Sequence, residues 1–284
     1  MGKVKITRKD LKTDEVRTFG HELGDNLRQN ARWYIAGAIA VVLVYSGIKM
    51  YQAYRVSNLE AANSEYAQVN AVFFEQALRM TDVKQRRDLL EQAATQFNDI
   101  ATRYPNLYVG RQAAFQRANA FYFRNDFDQA ISEFLSFINR AETDQEKAKG
   151  WLSLGYTYEN KFFLSNQNKQ QLSELDKSLL RQSQEAYSKA EELGQGSYIT
   201  YEAMLSRARL FELQFQDQEA LAIYDKIIEE RGKLRDQMSF ETAGSAPKET
   251  DPVARQIKNI MALFSYVKTA EINRDRLKRE MGQS

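Results

Sequence analysis

Residues 151–158 read Trp151-Leu152-Ser153-Leu154-Gly155-Tyr156-Thr157-Tyr158. Trp151, Leu154, Gly155 and Tyr158 recur at i, i+3, i+4 and i+7, so they share one face of an α-helix. A small residue on that apolar face marks where a second helix crosses closely. An aromatic one turn on fills the gap beside the crossing. The same pattern recurs on both sides of this stretch. Upstream stand Ala114, Ala118 and Phe121, a polar turn 124–129, and then Ala130, Phe134 and Phe137. Downstream stand Met204, Ala208 and Phe211, then Ala220, Tyr224 and Ile227. Ala93, Phe97, Ile100 and Pro105 mark the second helix and closing proline of a still earlier unit.

The intervals identify a repeat. Ala93 to Ala130 and Ala118 to Gly155 are both 37 residues, whereas Gly155 to Ala208 is 53. The longer interval is accounted for by a polar insertion, 163–180 (FLSNQNKQQLSELDKSLL), which either extends helices or projects as a loop. The second helix of that unit is expected near 180–193, with Tyr187 and Ala190 at core positions. No single helix pair of this kind buries its apolar face alone, so neighbours must stack. With Trp151, Leu154, Gly155 and Tyr158 filling W-x2-L-G-x2-Y, the chain resembles the tetratricopeptide repeat family over roughly residues 88–230.

The expected fold class is all-α: an N-terminal single transmembrane helix, then a tetratricopeptide-like α-solenoid of helix-turn-helix repeats with a C-terminal capping helix. The repeat domain is expected over 55–231, starting with a long helix over 55–80 that partners 86–103. Residues 232–250 hold Gly244, Ser245 and Pro247 and read as a flexible loop. Asp251 then serves as N-cap and Pro252 opens the capping helix. Ile257, Ile260, Met261, Phe264 and Val267 give this helix its apolar face, and the polar tail from Asn273 to Ser284 is expected to fray.

The transmembrane helix is read from Trp33–Ile48 (WYIAGAIAVVLVYSGI), which carries no charge in a chain that is 27% charged. Extended to Tyr54 it spans roughly 33 Å as a helix, with Lys49 snorkelling to the interface. Trp33 and Tyr34 at one end, and Tyr51 and Tyr54 at the other, suit the headgroup regions. A core helix would show a polar stripe, which 36–44 lacks. A cleaved signal would have a shorter start and a small-residue cleavage site. Residues 1–32 hold eight Lys/Arg and five Asp/Glu, against Lys49 and Arg55 on the other flank. That bias places the N-terminus in the cytoplasm and the large domain across the membrane.

Beyond residue 32 the chain has 32 basic and 33 acidic residues, so the large domain is nearly neutral. No basic stripe exists to neutralise phosphates, which argues against nucleic acid. Absence of cysteine excludes disulfides, thiolate nucleophiles and zinc–thiolate clusters. His21, the only histidine, lies in the tail, so no triad or histidine metal site is available to the large domain. Paired acids such as Glu191-Glu192 and Glu229-Glu230 are adjacent on solvated helix faces, and Gly194-Gln195-Gly196 is a helix stop, not a phosphate loop. No enzyme activity, cofactor, metal or small-molecule substrate is expected.

Recognition of other proteins remains. The tetratricopeptide resemblance implies a groove lined by first helices. In its register the groove residues are Gln112, Phe115, Asn119, Tyr122 and Phe123, then Lys149, Leu152, Tyr156, Glu159 and Asn160, then Glu202, Leu205, Arg209 and Glu212. Phe115, Tyr122, Phe123 and Tyr156 would form an aromatic strip for an apolar peptide. No basic clamp for a terminal carboxylate is evident.

The layout, with a tail starting Lys5-Ile6-Thr7-Arg8-Lys9-Asp10-Leu11-Lys12, resembles the YfgM-type family of single-pass inner-membrane ancillary subunits of the Sec translocon. That resemblance implies translocon subunits and envelope chaperones as partners, in a bacterial inner membrane with the repeats in the periplasm. The insertion and the clear Trp151 motif depart from that family. Two other readings fit the same layout. One is a structural subunit of a large envelope machine, for secretion or motility. The other is a mitochondrial outer-membrane receptor with its repeats in the cytosol.

Overall fold

The computed structural model describes residues 8–166, 173–241 and 252–282, and these are helical with short turns and no strand. The chain divides into two compact units, Met1–Ala61 and Ala62–Ser284. The first unit is the larger part of α1 (Arg8–Val69). Among those whose side chains are described, its large apolar residues are exposed: Trp33 is 70% exposed, Val41 68% and Leu43 66%. Among the described residues one helical stretch, Asn30–Arg79, is long and apolar enough to cross a membrane.

The second unit is a stack of helix pairs. After α1 come a π-helical turn at Asn70–Glu75 and the short α2 (Gln76–Arg79), then α3 (Val83–Arg103) and α4 (Tyr108–Phe123). These are followed by α5 (Phe127–Arg140), α6 (Asp144–Asn166), α7 (Glu174–Leu193), α8 (Tyr198–Leu213), α9 (Asp217–Glu241) and α10 (Pro252–Glu280). Each helix packs on the one before it and the one after, as stacked repeats require. Local signals set the boundaries. The Asp82 carboxylate accepts from the Gln85 N–H at 2.7 Å, and Ser173 and Asp176 form a reciprocal capping box at the start of α7. In the α4–α5 and α8–α9 turns, Asn125 and Phe215 take the left-handed conformation, at φ 63° and 58°. Asp126 N–H then donates to Phe121 O, and Gln216 N–H to Phe211 O, so the two turns are the same turn repeated.

Apolar clusters run through the stack, each joining neighbouring pairs. The first holds Phe74, Leu90, Phe97 and Ala113, and the second Phe115, Ala118, Phe134 and Leu154. The third holds Leu152, Leu180, Tyr187 and Ala203, and the last Met204, Ala220, Tyr224, Val267 and Leu277. The expected crossing residues Ala118, Ala130, Ala208 and Ala220 are fully buried. At Gly155 a Cβ would lie 2.5 Å from Tyr187 Cε1, so only glycine lets α7 approach so closely. Phe121, Tyr158 and Phe211 are half-buried at the seams between pairs.

Three boundaries differ from expectation. The insertion lengthens its pair: α6 runs on to Asn166 and α7 starts at Glu174, ahead of the expected 180, with residues 167–172 outside the described residues. Ser165 Oγ donates to the buried Asp176 at 3.0 Å and ties the lengthened ends together. The stretch 232–241, expected as loop, is helical, because α9 continues to Glu241. The rest of that expected loop, 242–250, and the Asp251 cap lie outside the described residues, as do the side chains of Ile257, Ile260 and Met261. Finally, the tail from Asn273 does not fray within α10. Leu277 is buried, and Arg274 and Arg276 reach Asp225 and Glu212. Arg274 and Arg276 thus find partners on α9 and α8, so a polar sequence there does not by itself mean a free end.

Candidate protein-binding groove

The expected groove residues lie on α4, α6 and α8, the first helices of three consecutive pairs. Phe115 and Leu152 are core residues, correcting their reading as groove lining. Phe115 packs against Phe134 and Phe137 at 5.6 and 5.1 Å between ring centres, and Leu152 belongs to the third cluster. Lys149 lies half-buried with Nζ 3.9 Å over the Phe115 ring and donates to Gln112 Oε1 at 3.1 Å. Burial holds its pKa below the ordinary lysine value, against the nearby Glu146 charge.

The remaining residues surround two clefts. One, of about 250 Å³, is lined by Asn119, Tyr122, Phe123, Phe134, Ser153 and Tyr156. The other, of about 360 Å³, has Tyr156, Glu202, Leu205, Ser206 and Arg209 on one side. Glu212, Tyr224, Thr269, Asn273 and Arg276 complete it. Tyr156 borders both.

The aromatic strip is therefore not an apolar track. Its hydroxyls belong to a polar network. Asn160 Nδ2 donates to Tyr122 Oη at 2.9 Å, and Tyr156 Oη donates to Glu202 at 2.6 Å. Tyr187 Oη donates to the buried Glu159 at 2.6 Å, and Arg209 meets both oxygens of that carboxylate at 2.7 and 2.9 Å. Tyr224 Oη and Arg276 bond Glu212, while Tyr266 Oη donates to Glu202 at 3.2 Å. Glu159 itself is 3% exposed and acts as the hub of this network, not as groove lining.

Burial is the main cause that raises the pKa of Tyr156, Tyr187 and Tyr224, and each bonded carboxylate adds to it. Tyr122 is raised by burial too. Burial and then the Glu202 charge push Tyr266 up to about 12. All these phenols are protonated at neutral pH, so they serve as donors. Among the described residues no group of three or more His, Asp or Glu is placed to hold a metal ion.

Sequence reading missed the α10 contribution. Tyr266, Thr269, Asn273 and Arg276 repeat the three-four-three spacing of Glu202, Leu205, Arg209 and Glu212. That spacing was the available signal, hidden in a stretch read as cap and tail. The structure makes α10 a fourth groove-lining helix.

Comparison with known families agrees with this architecture. Residues 26–153 match a tetratricopeptide repeat-like domain, and residues 202–232 match a tetratricopeptide repeat. No curated protein matches the chain.

Proposed function

We propose that this chain of tetratricopeptide-type repeats is a membrane-anchored adaptor that holds other proteins in the groove of α4, α6, α8 and α10. Segment 33–54 is its anchor, the basic tail is cytoplasmic, and the repeats face the periplasm of a bacterial inner membrane. The observation that carries this reading is the joining, in one chain, of an unburied apolar helix to a repeat unit with a polar, cleft-bearing face. The repeat-like match begins at residue 26, ahead of the apolar run, which supports treating that run as part of the same protein plan. Repeat units of this kind bind proteins and carry no chemistry of their own. The layout names Sec translocon subunits and envelope chaperones as the first partners to test.

The reading as a structural subunit of a large envelope machine gains less support. The surface residues of α10 include Ser265, Lys268, Asp275 and Arg279, with Ile272 the one large apolar side chain exposed among its described residues. Such a polar end caps a stack and does not recruit another copy edge to edge.

Because the chain has no cysteine, single-cysteine variants test the anchor cleanly. Thr13→Cys and Ser132→Cys are to be probed with a membrane-impermeant maleimide, before and after the inner membrane is opened. The reading expects Ser132→Cys to react first, Thr13→Cys only after opening, and the protein to stay with membranes in alkaline carbonate. Release into the soluble fraction, or the reverse labelling order, would sink it.

A further inference from the structure

The polar network behind the groove holds three carboxylates, and two of them have a guanidinium. Glu159 is held by Arg209, and Glu212 by Arg276. Among the described residues Glu202 bonds only the hydroxyls of Tyr156 and Tyr266, and no Lys or Arg of these lies within ion-pair distance of it. Those phenols donate without carrying charge, so the Glu202 charge is solvated but not neutralised. Its effect reaches Tyr156, Tyr198 and Tyr266, each of whose phenols it helps to hold protonated.

Glu202 is half-buried and lines the cleft of about 360 Å³. Arg209 and Arg276 line it too, but each is engaged by another carboxylate, and Arg276 by Glu280 as well. The cleft lining itself is balanced, Glu202 and Glu212 against Arg209 and Arg276, but Arg209 is also held by Glu159, so three carboxylates and two guanidiniums leave one negative charge in excess, centred on Glu202, in surroundings less screened than bulk water. Tyr156, half-buried, borders the same wall, and aromatic faces also favour a cation.

We propose that the cleft between α8 and α10 is a subsite for a basic side chain, lysine or arginine, of the polypeptide held in the groove, with the Glu202 carboxylate as its counter-ion. The proposal rests on the groove reading above. It adds a chemical preference: partners present an exposed basic residue in an otherwise polar segment.

The test uses the full chain in detergent and a displayed library of unstructured twelve-residue peptides, followed by titration of one selected peptide. Wild type should select peptides with Lys or Arg at one fixed position. Replacing that residue by glutamine should weaken binding about tenfold, in the range expected for a desolvated charge-assisted contact. Glu202→Gln should lose the basic preference. Tyr156→Phe and Tyr266→Phe, which keep the carboxylate, should retain it. Selected peptides without a basic preference, or a preference that survives in Glu202→Gln, would overturn the subsite and leave the groove standing. Loss of the preference in the phenylalanine variants as well would overturn it too, showing Glu202 to be a pin between helices. If wild type selects no peptide, the groove reading fails and the subsite with it. Should Glu202→Gln not fold, the glutamine-substituted peptide on wild type still decides the matter.

Discussion

At Gly155 a single absent methyl group sets the crossing of α6 and α7. A Cβ there would press on the Tyr187 ring at 2.5 Å, and Tyr187 is fully buried with its hydroxyl fixed on Glu159. Alanine favours helix over glycine by about 1 kcal/mol. Overpacking a closed core costs about 1–3 kcal/mol and should win. Gly155→Ala is therefore expected to lower stability by roughly 1–2 kcal/mol, measured by denaturant unfolding. At Glu146 folding favours the carboxylate. Burial alone would raise its pKa, but Arg111 at 3.1 Å and the backbone N–H groups of Glu142 and Thr143 outweigh burial and lower it. A carboxylate whose pKa falls on folding adds stability above its unfolded value, about 4.3, and loses it as pH drops through the lower folded value. Glu146→Gln should cost about 1–3 kcal/mol at neutral pH. The gap to wild type should shrink below about pH 4 in thermal melts taken across the acid range.

Among the elements, α10 separates what the sequence showed from what it concealed. The repeat helices were legible because their small and aromatic residues recur at fixed intervals, and α4, α6 and α8 appear where that spacing puts them. The end of α10 was not legible, since its contacts are made by charged residues whose partners lie on other helices. For the candidate groove, register selects one face of each first helix. It could not tell Phe115 or Leu152, buried one layer down, from Tyr122 or Leu205, because helix spacing gives direction and not depth. The hydrogen bonds that convert an aromatic strip into a polar network need three-dimensional neighbours and leave no local trace. If α10 is packed to its end, Leu277→Ala should destabilise the repeat unit by about 2–4 kcal/mol, as a cavity in a closed core does. A frayed tail would leave the melting curve unchanged.

In the whole molecule an apolar helical segment and a groove-bearing repeat unit belong to one chain. The groove side chains are held by their own network before any partner arrives, which lowers the ordering cost of binding. The outer helices α5, α7 and α9 contribute the scaffold. The most direct measurement places a photo-activatable cross-linker in the full-length, membrane-inserted chain at Leu205, which lines the larger cleft, and in a second variant at Asn139, exposed on α5. The account expects irradiation of intact cells to join the Leu205 variant to another protein, and the Asn139 variant to give little or none of that product. Equal products from both positions, or none from Leu205 in a protein shown to be folded and membrane-inserted, would contradict it.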